Sequence, residues 1–309
     1  MTNTKPMKNN TTTFILVVAA LSQLAFSFSP IDSEKGIFND ALTEEAIRQK
    51  TAPLLSEVAY ENYTTVRLFV KEYVGDGKYG SQIILGRTPL YYPLIESEIA
   101  RRNMPQEIKF LPVIESNLNP RARSHRGAVG LWQFMPATAR AMGLVINEQV
   151  DERRDVYKST MAALDYLQEL HDIYGDWTIA IAAYNCGTPR MNKAIQAAGS
   201  KDFERVQYFL PGETRNYIPK LIAAGYMVTY YHLHDLNPKY PNYELVNTKV
   251  YKTLKGWTFD ELESVTGVPK DHIRKLNPAF CRDEIPESPT GYDLILPVLR
   301  EELEMALRP

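Results

Sequence analysis

Read for the spacing of its apolar positions, the chain divides into a long helical stretch and a short mixed one. In "TVRLFVKEYV", Val66, Phe69, Val70 and Val74 recur at helical spacing. "PLIESEIARRN" follows with Pro93 at its start, a residue suited to a first helical turn. "STMAALDYLQELHDIYGD" places Ala163, Tyr166, Leu167, Leu170 and Tyr174 on one face, with Ser159 as candidate N-cap and Gly175 as candidate stop. "DWTIAIAAYNCG" opens on a capping Asp176, closes at Gly187, and is apolar all round, which predicts a buried helix. "ETRNYIPKLIAAGYM" predicts one more amphipathic helix. The pattern changes at 232–247, where Pro238, Pro241 and several Asn residues read as a linker. Beyond it, "KVYKT" and "YDLILPV" read as strands. They enclose two helices: one opened by Thr258 and Glu261 at capping-box spacing and ended by Gly267, the other bounded by proline in "PKDHIRKLNP". The expectation is a mainly α protein closed by a βααβ unit of about 50 residues.

Composition keeps this picture within soluble globular proteins: 44% of the 309 residues are hydrophobic and 23% charged. A net charge of −2 supplies no basic field for nucleic acid. The N-terminus departs from the rest. Lys5 and Lys8 precede the apolar run "FILVVAALSQLAF" and then small residues, the order of a secretory signal with cleavage after Ser27. The run is shorter than the ~20 residues that span a bilayer, so export to the periplasm or cell envelope is expected rather than a spanning anchor. Cys186 and Cys281 are expected as two free buried thiols, although export would permit a disulfide. His232 and His234 stand two apart without a third ligand nearby, so no metal site is expected from them.

The chemistry begins in "LPVIESNLNP", residues 111–120, where Glu115 follows Leu111, Pro112, Val113 and Ile114. A carboxyl in apolar surroundings resists ionisation and can serve as an acid near neutral pH. The bland alternative is an exposed position on a short helix, and Glu115 alone does not decide between them. Three further blocks follow in order: "SHRGAVGLWQFMPATARAMGL" (124–144), "AAYNCG" (182–187) and "ETRNYIPKLIAA" (213–224). Together with "ESNLNP" they make residues 60–230 similar to the lytic transglycosylase family, which has a lysozyme-like fold.

The resemblance implies that Glu115 is the single catalytic acid/base. It implies that Ser116, Gln133, Phe134, Tyr184, Asn185, Glu213 and Tyr217 line or close the substrate groove. Trp132 and Phe134 are candidates for a sugar platform or for core, and Tyr184 and Tyr217 can donate hydrogen bonds to the carboxyl or the sugar. Cys186 stands where the family commonly has a small residue and reads as packing. Glu96, Glu98, Asp151 and Asp155 are the available second carboxylates, none in a matching block. The implied partner is the peptidoglycan glycan strand, with no metal, cofactor or nucleic acid, and a monomer associated with wall or membrane. The implied reaction breaks the β-1,4 bond between N-acetylmuramic acid and N-acetylglucosamine and leaves a 1,6-anhydro end. Hydrolysis of the lysozyme type and non-catalytic wall binding are the alternatives. The C-terminal unit resembles a LysM carbohydrate-binding module through Gly256, Thr258, Asn277, Pro278 and Pro297, and departs from it at Trp257 and over 281–290. The expected division is signal 1–27, helical extension 28–100, lysozyme-like domain 101–231, linker 232–247, LysM-like domain 248–298 and tail 299–309.

Overall fold

The computed structural model describes residues 42–300. The expected signal segment and nearly all of the expected tail lie outside them. Two short N-terminal helices, α1 (Glu44–Thr51) and α2 (Tyr63–Val74), precede α3 (Lys78–Arg101). The sequence places a helix start at Pro93, but α3 begins fifteen residues earlier and carries Pro89 and Pro93 inside it. Proline normally interrupts a helix because its missing N–H orphans the carbonyl one turn back. Here the Thr88 hydroxyl donates to the Leu85 carbonyl at 2.8 Å, replacing the bond that Pro89 cannot make.

The body continues through α4 (Leu111–Ser116), α5 (Pro136–Ala141), α6 (Val156–Tyr174), α7 (Trp177–Cys186) and α8 (Thr188–Ala198). The short α9 (Phe203–Val206) and α10 (Gly212–Arg215) lead into α11 (Tyr217–Tyr230). Helix α6 is capped by Asp155, whose side chain accepts from the Lys158 amide, and not by Ser159, which is buried one turn inside. Gly175 closes α6 in the left-handed region and Asp176 caps α7 through the Ile179 amide, as their spacing predicts. Helices α7 and α11 are the buried axes of this body; α11 packs on α2, α4 and α7. Gly225 on α11 lies under the Phe110 ring, where an added Cβ would come within 2.9 Å. The N-terminal segment is tied to the body by one buried carboxylate. Glu107 accepts from the amides of Ser56, Glu57 and Val58 and from the Ser56 hydroxyl, at 2.8–3.1 Å.

Segment 232–247 lies against α3. The Lys239 amide donates to the Gln82 carbonyl, and Gly86 sits so close to the Lys239 carbonyl that a Cβ would meet its oxygen at 1.8 Å. His234 is buried and its Nε2 lies 3.0 Å from the Tyr226 hydroxyl. Next come β1 (Thr248–Thr253) and β2 (Trp257–Thr258), then α12 (Phe259–Thr266), α13 (Lys270–Leu276), β3 (Glu284–Ile285) and β4 (Tyr292–Pro297). Strands β1 and β4 pair antiparallel from Thr248↔Pro297 to Thr253↔Tyr292, and β2 pairs with β3. The Thr258–Glu261 capping box is formed. Thus the chain is mostly helical, and a small β-containing unit follows the helical body.

That unit has its own core of Phe259, Leu262, Ile273, Leu294 and Leu296, and Trp257 is buried in it. Val150 of the helical body belongs to the same cluster. Backbone bonds flank the inserted residue: the Asp151 amide donates to the Ala279 carbonyl at 2.9 Å and the Cys281 amide to the Gln149 carbonyl at 2.8 Å. Cys186 and Cys281 are both free thiols, but only Cys186 is buried; Cys281 is exposed beside this junction. Among the described residues no helix is long and apolar enough to cross a membrane.

Candidate active site

Glu115 is the penultimate residue of α4. Four neighbours on that helix, Leu111, Pro112, Val113 and Ser116, are buried and anchor it in the core. The helix ends because Asn117 and Leu118 both take positive φ, 53° and 54°. The single turn thus presents Glu115, itself half-buried, to a groove of about 760 Å³, a size that suits a ligand of several rings.

Burial pushes the Glu115 carboxyl up to about 7. The Tyr217 hydroxyl donates to Glu115 Oε1 and opposes the rise, as a bond to the charged form must. Glu213 adds to the rise by like charge, and Lys220 works against it. Tyr217, at the first position of α11, is itself buried. The other expected tyrosine is used differently. Tyr184 donates to the Trp132 carbonyl at 2.7 Å, so its proton is committed to the backbone of the groove wall and not to Glu115. Its ring packs edge-on against Phe134, with centroids 6.2 Å apart, and lies 5.6 Å from that of Tyr166.

The remaining expected residues separate into those that face the groove and those that hold it. Gln133, Phe134, Asn185 and Glu213 line it. Gln133 has φ 49°, and its amide nitrogen donates to the Gly130 carbonyl at 2.8 Å, which fixes the orientation of its side chain. Asn185 accepts from the Thr214 hydroxyl at 2.8 Å and thereby joins the end of α7 to α10. Phe134 is buried in the wall. Ser116, expected to meet substrate, is turned inward: its hydroxyl lies 3.0 Å from the Pro112 carbonyl and 2.9 Å from the Leu131 carbonyl. It fastens α4 to the segment that carries Gln133. Trp132 is fully buried with its indole N–H on the Thr160 hydroxyl at 3.0 Å, so it is core and not a platform.

A support that none of the matching blocks contains lies behind the groove. Arg153 and Asp151 form a buried pair, with Nε and Nη2 each 2.8 Å from the carboxylate. The same guanidinium donates to the Gly127 and Phe134 carbonyls. Gly130, at φ 92°, is pressed against the Arg153 carbonyl, where a Cβ would come within 1.8 Å. Thus the glycine of "GLWQ" is required by close approach as well as by backbone conformation. His125, Arg126 and Arg190 also line the groove and were not anticipated.

Of the candidate second carboxylates, Glu96 pairs with Lys109, Glu98 with Arg101, Asp151 with Arg153, and Asp155 caps α6. Among the described residues, Glu213 is the one carboxylate besides Glu115 that lines this groove. It is exposed and lies 3.8 Å from Arg126. Among the described residues no group of three or more His, Cys, Asp or Glu is arranged to hold a metal ion.

Comparison with known proteins agrees with the blocks read along the chain. Residues 93–207 match the family model described as the Transglycosylase SLT domain. Membrane-bound lytic murein transglycosylase D of Escherichia coli K12 is 39% identical over 158 residues, which are 50% of this chain and 35% of that protein. Membrane-bound lytic murein transglycosylase F of Desulfosudis oleivorans is 34% identical over 144 residues, 44% of this chain and 30% of that protein. The chain therefore spans about a third of the length of these curated relatives. Among solved structures, the soluble lytic transglycosylase SLT70 of Escherichia coli aligns over 63% of this chain and 34% of its own, at 19% identity and a TM-score of 0.41.

Proposed function

We propose, from the premise that residues 93–207 are a transglycosylase SLT domain, that this protein is a peptidoglycan lytic transglycosylase with Glu115 as its acid and base. One observation carries the reading. One groove carboxyl, desolvated until it titrates at about 7, receives a hydrogen bond from a buried tyrosine. A group poised there holds its proton often enough to give it up and is a strong enough base to take one back.

In the first step the Glu115 proton passes to the glycosidic oxygen as the bond to the muramic acid anomeric carbon breaks. In the second, the carboxylate accepts the proton of that sugar's own 6-hydroxyl, whose oxygen closes on the anomeric carbon. The product is a 1,6-anhydro ring, and no water is consumed. Because the nucleophile is part of the substrate, its proximity replaces a second carboxylate. Tyr217 stabilises the carboxylate between the steps. Gln133, held through its nitrogen, offers its carbonyl oxygen to an N-acetyl N–H. Ser116 acts from behind, through the position of α4.

Lysozyme-type hydrolysis is the second reading, and Glu213 is the observation in its favour, since it is a further carboxylate lining the groove. Digestion of purified sacculi followed by mass analysis separates the two. Muropeptides one water lighter than the hydrated reducing ends, and absent with Glu115→Gln, support transglycosylation. Hydrated ends would give the reaction to the hydrolase. The reading extends to the whole chain as an exported cell-envelope protein that works as a monomer, with residues 248–298 as a LysM-like domain that holds the glycan.

A further inference from the structure

Three basic side chains line the groove at positions where local structure does not call for them. Residues 124–127 form a tight turn closed by the Gly127 amide on the Ser124 carbonyl at 3.0 Å. Its two central residues are His125 and Arg126, whereas turns of this kind are usually filled by Pro, Asp, Asn or Ser. The turn is rigidly held. The Ala128 amide donates to the Ser124 hydroxyl at 3.0 Å, and the buried Arg153 guanidinium holds the Gly127 carbonyl. Both side chains are therefore exposed on a fixed backbone. The third, Arg190, occupies the first turn of α8, where the helix dipole disfavours a cation. It is exposed and makes no ion pair among the described residues. Among the described residues Arg126 pairs only with Glu213, at 3.8 Å and with both side chains largely exposed. Such a pair contributes little and exchanges readily for another anion.

A groove furnished in this way suits a ligand that brings carboxylates. The sugars of a peptidoglycan strand carry none on their rings; the carboxylates belong to the short peptide joined by an amide bond to the lactyl group. We infer that Arg126 and Arg190 are specificity-determining residues that bind the carboxylates of the peptide stem, so that the groove prefers stem-bearing acidic strands to neutral ones. This rests on the reading of the groove as a peptidoglycan site. His125 adds a hydrogen-bond donor beside Arg126. On binding, the stem carboxylate takes the place of Glu213 at the Arg126 guanidinium, a charge-assisted and bidentate contact.

The test compares strands that keep their stem carboxylates with strands of equal length whose carboxylates are amidated. For the full chain, kcat/KM is expected to favour the charged strand by about tenfold, roughly the value of one charge-assisted contact. In the R126Q/R190Q double variant that ratio is expected to fall to about twofold or less, and in the parent chain it should shrink as salt rises. A ratio unchanged by the double substitution overturns the inference. A binding measurement that needs no turnover accompanies it, in which E115Q is titrated with soluble stem-bearing disaccharide and with its amidated form. Weaker binding of the amidated form supports the inference, and equal binding overturns it. Charge-dependent binding without cleavage of any strand would sink the proposed reaction alone. Cleavage indifferent to stem charge would sink this inference alone.

Discussion

At the scale of residues, the site is legible in type but not in wiring. The blocks around Glu115, Gln133, Tyr184 and Tyr217 point to side chains that the fold gathers at one groove. Which tyrosine reaches the carboxyl depends on how α7 and α11 pack, and no spacing along the chain contains that. Tyr217 serves Glu115, while Tyr184 serves the Trp132 carbonyl. A distinction follows for measurement. The Tyr217 bond holds the Glu115 titration down, so Tyr217→Phe should move the alkaline limb of kcat/KM to higher pH, by about half a unit to one unit. Tyr184→Phe should leave that limb in place. The proposed reaction starts from the acid form of Glu115, so in the parent chain kcat/KM should fall about tenfold per unit above a midpoint near 7. Glu115→Gln should lower turnover by roughly 10²–10⁴-fold. Stability should change in the opposite direction. A carboxyl whose folded titration is raised favours the fold below its unfolded pKa and loses that contribution as pH rises through about 7. Glu115→Gln should therefore melt higher than the parent chain at pH 8, by roughly 1–3 kcal/mol, and show less advantage at pH 5. A melting difference independent of pH would contradict a desolvated Glu115.

At the scale of elements, apolar spacing located the helices well and their starts poorly. Gly175, Asp176 and Thr258 do what their residue types suggest, because caps are local. Ser159 and Pro93 do not, because other residues outcompete them. Asp155 is the stronger cap one turn earlier, and the Thr88 hydroxyl lets α3 run through its prolines. The "GAVG" segment shows the limit of motif reading. Its second glycine is dictated by Arg153, twenty-three residues away, and the chain gives no sign that the two backbones meet. Gly130→Ala should cost several kcal/mol of stability, on the order of 3 or more, and take activity with it; a folded and active variant would show that the loop can move aside. Glu107 offers a cleaner test, since it lies away from the groove. Glu107→Ala leaves the Ser56, Glu57 and Val58 amides without their acceptor and should cost about 3 kcal/mol or more. Hydrogen exchange should then quicken over residues 55–60 before anywhere near Glu115.

At the scale of the whole molecule, the helical body and the C-terminal unit were both foreseeable, and their junction was not. Val150 stands in "NEQVDERRD", a polar run in which one apolar residue looks incidental. Folding places it in the core of the unit that begins about a hundred residues later, with backbone bonds on either side. Domains joined only by a linker unfold one after the other. Here the core of one is completed by a side chain of the other, so the two should melt cooperatively. Scanning calorimetry of the intact chain should give one endotherm whose van't Hoff and calorimetric enthalpies agree. Val150→Asp should split it, with the C-terminal unit melting first; two peaks already present in the parent chain would refute the coupling. The same feature bears on modularity. A unit that borrows a core residue cannot be transplanted as a free cassette, and residues 248–298 grafted elsewhere should need a replacement for Val150 to fold.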